Sequence, residues 1–373
     1  MIPRSEFALE PDIRYINNAS MGVVPLTTAA ATKAYVDEST RKSIATAPTA
    51  REQIMKDKER IARVIGVRAD DIALIKSTTE GARVIADCVD WESGDDVILS
   101  DRECLSNVAW LCLRDRGVNV RIVNSPLQRL DAACLTSMIT ARTKVVAVSW
   151  VSAKDGYRHD LATLGTITHK QGSLFLVDGI QGLGAFPLDV AEFPCDALYT
   201  GSFKWLMGFR GAGFLYVSDR VLQIAGNRLE TYISFWKDTT SLGVAKPELN
   251  APLLQTGGPN GIGVRALASS ADFLLSYGLR SISQYVLNLT DRLVAGLQTQ
   301  GVRIISIRDG ERRSGIVTFA VGNYDQQRFD QYIRDAGIIV GCLGDAIRVS
   351  PHAYNTVDEI DEFLDTLRSI CAG

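Results

Sequence analysis

A chain of 373 residues, 46% hydrophobic and 22% charged, has length for about two domains and a sizeable core. Its 40 basic and 43 acidic side chains leave a net charge of −3, which argues against nucleic acid or an anionic membrane surface as the main partner. Seven scattered cysteines without a C-x-x-C pair, and only three histidines, argue against a zinc site, a disulfide framework or a histidine-rich metal centre, so no metal is expected.

The opening residues Met1–Glu6 lack the apolar core of a signal peptide, and no apolar run approaches the ~20 residues of a membrane span. The expected location is therefore the cytoplasm, with no membrane partner. Along the chain, short apolar runs predict strands at Ile72–Lys76, Val97–Ser100, Val120–Val123, Val145–Val151, Leu174–Asp178, Ala197–Thr200 and Gly213–Val217. Several are nearly continuous in hydrophobicity and rich in β-branched residues, as strands buried on both faces are. Stretches long enough for helices separate the first five. That order predicts an α/β fold with a mainly parallel seven-stranded sheet covered on both sides. The last two runs lie close together around a Gly-rich stretch, which suits one antiparallel strand.

After about residue 255 the pattern changes. A helical stretch is expected over Ile262–Gln300, then short apolar runs at Val302–Ile307, Gly315–Val321 and Ala346–Val349, then an amphipathic helix over Val357–Ile370. The division expected is a large domain over 15–255 and a smaller α+β domain over 256–373, joined by the N-terminal segment 1–14.

Four segments fall where open α/β sheets bind ligands, at the carboxyl ends of strands. Ser77-Thr78-Thr79-Glu80-Gly81 offers hydroxyls and free N–H groups at a helix start, an anion cup or equally a plain capping box. Asp178 ends an apolar strand, where a carboxylate is costly to bury without a partner. A protonated pyridine nitrogen would be such a partner, and Gln181 could reach the hydroxyl of that ring, although a surface-loop carboxylate reads the same way. Lys204, in Tyr199-Thr200-Gly201-Ser202-Phe203-Lys204-Trp205, sits in apolar surroundings that favour the neutral amine able to condense with an aldehyde. A lysine whose stem covers apolar surface would look alike. Arg348, inside the run Ile347-Arg348-Val349, suits bidentate capture of a carboxylate or a structural salt bridge.

In their order and spacing these segments resemble the class V aminotransferase family of fold-type I pyridoxal 5′-phosphate (PLP) enzymes, in the branch of cysteine desulfurase-like, selenocysteine lyase-like and isopenicillin N epimerase-like proteins. The resemblance runs from Tyr15-Ile16-Asn17-Asn18-Ala19, through Ser77–Gly81, Val177-Asp178-Gly179-Ile180-Gln181 and Lys204-Trp205, to Arg348-Val349-Ser350-Pro351-His352 and Tyr354-Asn355-Thr356. It implies PLP as cofactor, held on Lys204, which would also shuttle the α-proton. It implies that Asp178 holds the pyridinium proton and Gln181 bonds the ring oxygen. Thr78 or Thr79, with Ser202, would bind the phosphate. Arg348, with Asn18, would hold an amino-acid substrate. A homodimer with shared active sites is implied too.

Three departures stand out. Cys104 occupies the place of the histidine or aromatic residue that stacks on the ring. Phe203 precedes the lysine where relatives carry histidine, and Gly258 replaces the threonine of a Gly-Thr-Pro-Asn loop that reaches the neighbouring subunit's phosphate site. Cys342 lies only six residues ahead of Arg348, too close for a mobile sulfur-carrying loop. The expectation is therefore C–S bond-cleaving β-elimination on cysteine or a cysteine conjugate. Transamination, epimerisation and decarboxylation-linked deamination are the alternatives from the same carbanion. A persulfide-forming desulfurase and a non-catalytic binding protein on this fold are less favoured.

Overall fold

A computed structural model describes residues 1–42, 48–100, 108–123, 129–226, 249–320 and 326–372, and all structural statements concern these residues. The chain opens with a short strand β1 (Arg14–Tyr15) and two helices, α1 (Leu26–Lys42) and α2 (Pro48–Ala62). The strands of the large sheet follow as β2 (Ile72–Ile75), β3 (Asp96–Ser100), β4 (Asn119–Val123), β5 (Thr143–Ser149), β6 (Leu174–Asp178), β7 (Ala197–Gly201) and β8 (Gly213–Val217). Interleaved with them are α3 (Thr78–Cys88), α4 (Val108–Leu111), α5 (Ala132–Met138) and α6 (Leu161–Lys170).

The sheet order is β2-β8-β7-β6-β5-β3-β4. Strand β8 is antiparallel to both its neighbours, and the other pairs are parallel. The carboxyl ends of β2 to β7 therefore share one edge. Alternate side chains enter different cores. Leu74, Ile98, Val146, Val148, Phe175, Val177, Leu198 and Phe214 face one; Ala73, Ile75, Val97, Leu99, Val145, Leu176, Tyr199 and Leu215 face the other. This two-sided burial explains the near-continuous hydrophobicity of the strands.

The expected helix over Ile262–Gln300 is divided. Gly278, at φ 80°, ends α7 (Gly261–Tyr277) and starts α8 (Leu279–Thr299). Only a residue that tolerates positive φ joins two helices so abruptly. Helix α7 packs on α1 and α2, and its Val264, Leu267 and Ala271 enter the same core as Leu74 and Val146.

Val302–Ile307 forms no strand of its own and contributes one bridge, Ile304 to Phe319. The remaining elements are β9 (Val317–Ala320), α9 (Gln326–Asp335), β10 (Ile338–Ile339), β11 (Gly341–Leu343), β12 (Ala346–Val349) and α10 (Val357–Ala372). Strands β11, β12 and β9 make an antiparallel sheet in that order, and β1 pairs in parallel with β10. Their core joins Ile16, Leu289, Leu293, Phe319, Ile347, Val349 and Phe363. Among the described residues no helix is long and apolar enough to cross a membrane.

Candidate active site

Each segment singled out in the large sheet lies on its carboxyl edge. Ser77 to Glu80 follow β2, Asp178 ends β6, and Ser202 to Lys204 follow β7. The loop from Ser202 to Ala212 must return the chain to antiparallel β8 within a few residues, and Lys204 rides on it. Gly213 faces Gly201 across that turn, where a Cβ would meet the Thr200 carbonyl at 2.1 Å.

The lysine loop is closed on itself and gripped from outside. Its ends are joined by Gly208 N–H donating to Ser202 O at 2.8 Å. Phe203 O accepts from Gly22 N at 2.8 Å, Lys204 O from Met207 N at 3.0 Å, and Trp205 O from His352 Nε2 at 3.3 Å. Gly22 has no room for a side chain, since a Cβ there would lie 2.0 Å from Lys204 O. Lys204 Nζ stands 5.8 Å from the centre of the Phe203 ring, and the Arg210 guanidinium lies 5.0 Å from the same ring.

Asp178 is 1% exposed, and its Oδ1 accepts from Ile180 N at 3.0 Å. Gln181 is buried and held at both ends of its amide. Nε2 donates to Ala19 O at 3.0 Å, and Oε1 accepts from the Trp205 indole at 2.9 Å. One Nε2 proton stays available to a further acceptor.

Ser77 caps α3, accepting from Glu80 N at 3.2 Å, while Glu80 accepts from Lys76 N at 2.5 Å, one residue before the cap, so only the serine arm of a capping box is made. Thr78 and Thr79 occupy the first turn beyond it, where helix N–H groups without an intrahelical acceptor suit an anion. Ser202 is fully buried, with its hydroxyl donated to Phe209 O. Gly258 is exposed, and a Cβ there would meet nothing within 4 Å. Residues 101–107, with Cys104, lie outside the described residues.

Arg348 approaches from the small sheet, 6% exposed. Nη1 donates to Ala153 O at 2.7 Å and Nη2 to Ser20 Oγ at 2.6 Å, while Nε has no partner among the described residues. Among the described residues no carboxylate acts on its charge. Burial lowers its pKa to about 10, against the pull of Tyr15, so it stays charged at neutral pH. Asn18 is fully buried; Nδ2 donates to Tyr354 OH at 2.9 Å, and Oδ1 has no partner among the described residues.

The segment from Tyr15 to Gly22 ties these parts together. Ala19 O meets Gln181, Ser20 meets Arg348, and Gly22 meets the lysine loop. From the sequence, the resemblance reaches Ala19 in this segment and implies a role for Asn18 alone, and it implies none for His352. That histidine is buried, stacked on Tyr354 at 5.9 Å and tilted on Trp205 at 5.5 Å, and burial pushes its pKa down to about 3. The signal for it lay in its place within the Arg348–His352 stretch; Ser20 and Gly22 carried none.

The donor set suits pyridoxal phosphate. A buried carboxylate, an amine and a helix N-terminus share one edge, matching a pyridinium nitrogen, an aldehyde and a phosphate. The buried Arg348, with only Tyr15 acting on its charge, suits a carboxylate brought in by substrate. Among the described residues no group of three or more His, Cys, Asp or Glu is arranged to hold a metal.

Comparison with known proteins bears on the family and the fold. The family model described as aminotransferase class-V matches residues 15–363. A probable cysteine desulfurase of Methanothermobacter thermautotrophicus is 27% identical over 397 aligned residues, covering 98% of this chain and 97% of that protein. The apo structure of a cysteine desulfurase from Thermococcus onnurineus NA1 superposes with a TM-score of 0.85 at 22% identity, over 99% of this chain and 97% of that one. A cystine C–S lyase in complex with its product cysteine persulfide gives 0.82 at 19% identity, over 95% and 97%.

Proposed function

Because the chain belongs to the class V aminotransferase family, fold-type I enzymes that use PLP, we propose that it cleaves the C–S bond of cysteine or a cysteine conjugate by β-elimination, without a protein persulfide. The observation that carries this reading is the setting of Cys342. Its strand β11 reaches β12 through a tight turn, with Leu343 paired to Ala346. Cys342 pairs with Ile347 and Gly341 pairs with Arg348. Directly opposed residues share a face, so the thiol leaves the face opposite to the Arg348 side chain. It donates instead to Asp330 Oδ1 at 2.8 Å. Partial burial and that carboxylate push its pKa up to about 12. A thiol so held is protonated and turned away, whereas a sulfur-accepting nucleophile must be a thiolate at the substrate.

In this reading Arg348 takes the substrate carboxylate. Lys204 would hold the cofactor and then carry the α-proton, Asp178 would keep the ring nitrogen protonated, and Gln181 would bond the ring oxygen. Thr78, Thr79 and the N–H groups of α3 would hold the phosphate. Ser202 supports that end of the site through its loop. When bound, the cofactor supplies an electron sink for the pair left at Cα by deprotonation. We also propose a cytoplasmic homodimer whose sites share residues, and the division near residue 255. The exposed Gly257-Gly258 turn, open to a neighbouring subunit, supports the first.

Product analysis tests the reaction. Elimination from R–S–CH2–CH(NH3+)–COO− with one water yields RSH, pyruvate and ammonium in equal amounts. Desulfuration yields alanine. Purified protein with PLP and a panel of S-substituted cysteines is expected to release pyruvate and thiol together; alanine as the main product would overturn the reading. Lys204→Ala should abolish both products and the visible absorbance of bound cofactor.

A further inference from the structure

Among the described residues, Met207 is the one non-glycine residue with positive φ, at 56°. It lies three residues after Lys204. An L side chain is disfavoured in that region, which glycine enters freely. Met207 is fully buried, and both peptide groups flanking it are held. On the amino side its N–H donates to Lys204 O at 3.0 Å. On the carbonyl side its C=O accepts from Ser270 Oγ at 2.9 Å. With both peptide planes fixed, the dihedrals between them are fixed as well.

Ser270 lies in α7 and is fully buried. Its Oγ is 3.2 Å from Thr28 Oγ1 of α1, which is also fully buried. A serine hydroxyl has one proton. Since that proton goes to Met207 O, the Thr28 hydroxyl must donate to Ser270. The order Thr28 to Ser270 to Met207 is thereby set. It references the lysine turn to the packed pair α1 and α7 rather than to the sheet.

We propose that Ser270, backed by Thr28, is a positioning residue for Lys204, holding the Lys204–Met207 turn in its left-handed form so that the amine is presented in one place. The proposal rests on the reading of Lys204 as the cofactor-bearing lysine. It makes two demands that a purely structural role does not. Loss of the Ser270 hydroxyl must weaken covalent capture of the aldehyde more than occupancy of the pocket. A glycine at 207, which needs no help to adopt positive φ, must repair the loss.

Two ligands separate these effects. PLP condenses with the lysine amine, losing one water and forming a C=N bond that borohydride reduces. Pyridoxine 5′-phosphate has no aldehyde and only occupies the pocket. In the full chain, Ser270→Ala is expected to raise the dissociation constant for PLP about tenfold, the scale set by one unsupported left-handed residue, and to leave that for pyridoxine 5′-phosphate unchanged. Thr28→Val should move PLP in the same direction by less. Adding Met207→Gly to Ser270→Ala should restore PLP capture. Equal weakening of both ligands, no change for PLP, or no repair by glycine would each overturn the proposal. Peptide mapping of the borohydride-reduced parent chain distinguishes its failure from that of the underlying reading. A label on a lysine other than 204 removes the reading itself, whereas a label on Lys204 with an unaffected Ser270→Ala removes only the role of Ser270.

Discussion

Cys342 and Arg348 lie on paired antiparallel strands but on opposite faces, because Gly341 and not Cys342 is the residue directly across from Arg348. The arginine side chain is directed to Ala153 and Ser20, the thiol to Asp330. Six residues of sequence thus separate two different environments, and several expectations follow from that separation.

Cys342→Ser should retain most C–S cleavage, since the thiol is protonated and turned from the substrate. Its reaction with iodoacetamide should be slow at pH 8. Asp330→Asn, which removes the anion that raises the thiol pKa, should speed alkylation. Abolition of sulfur release by Cys342→Ser, with cofactor content intact, would require a desulfurase instead.

Arg348→Ala should raise KM for α-carboxylate substrates with cofactor content near normal. A charge-assisted hydrogen bond is worth about 1.5–3 kcal/mol, so the expected rise is roughly tenfold to a hundredfold. Steady-state kinetics on one good substrate checks it. An unchanged KM would place the carboxylate elsewhere.

His159 and His352 make stability depend on acid. Burial depresses their pKa values to about 4 and about 3. A base whose folded pKa lies below its unfolded value binds fewer protons when folded. Stability is therefore full above the unfolded value near 6.5 and falls as pH drops towards the folded values. From pH 7 to pH 5 each histidine should cost about 2 kcal/mol. Urea midpoints across that range should fall, and His352→Gln should remove part of the slope. A flat profile would contradict the burial of both rings.

Gly22→Ala should disturb the site through the backbone of the lysine loop. The new Cβ would sit 2.0 Å from Lys204 O and 3.3 Å from Met207 Cα, both backbone atoms. The lysine loop or the N-terminal segment has to move. The expected outcome is loss of PLP capture and a lower melting temperature, read from cofactor absorbance and thermal unfolding. Normal capture in a stable variant would mean that the loop is less constrained than its hydrogen bonds imply.

The strands of the large sheet were legible because burial on both faces leaves runs such as Leu174–Asp178 apolar throughout, whatever their neighbours. Asp178, Lys204 and Arg348 were legible for a related reason: a charged residue at the end of such a run, or inside it, demands a partner. The sequence by itself determined those elements and the order of the site segments along the chain, and through that order the resemblance to a PLP family. The tertiary structure alone decided what each side chain does with its atoms. The break at Gly278, the attachment of Gln181 to Ala19 and Trp205, the grip of Ser270 and Thr28 on the lysine turn, and the face taken by Cys342 all depend on strand register or on contacts between distant segments. Local sequence carries periodicity and propensity. It does not carry the direction of a hydroxyl or a thiol, which is set by whichever distant group the fold brings within hydrogen-bond reach.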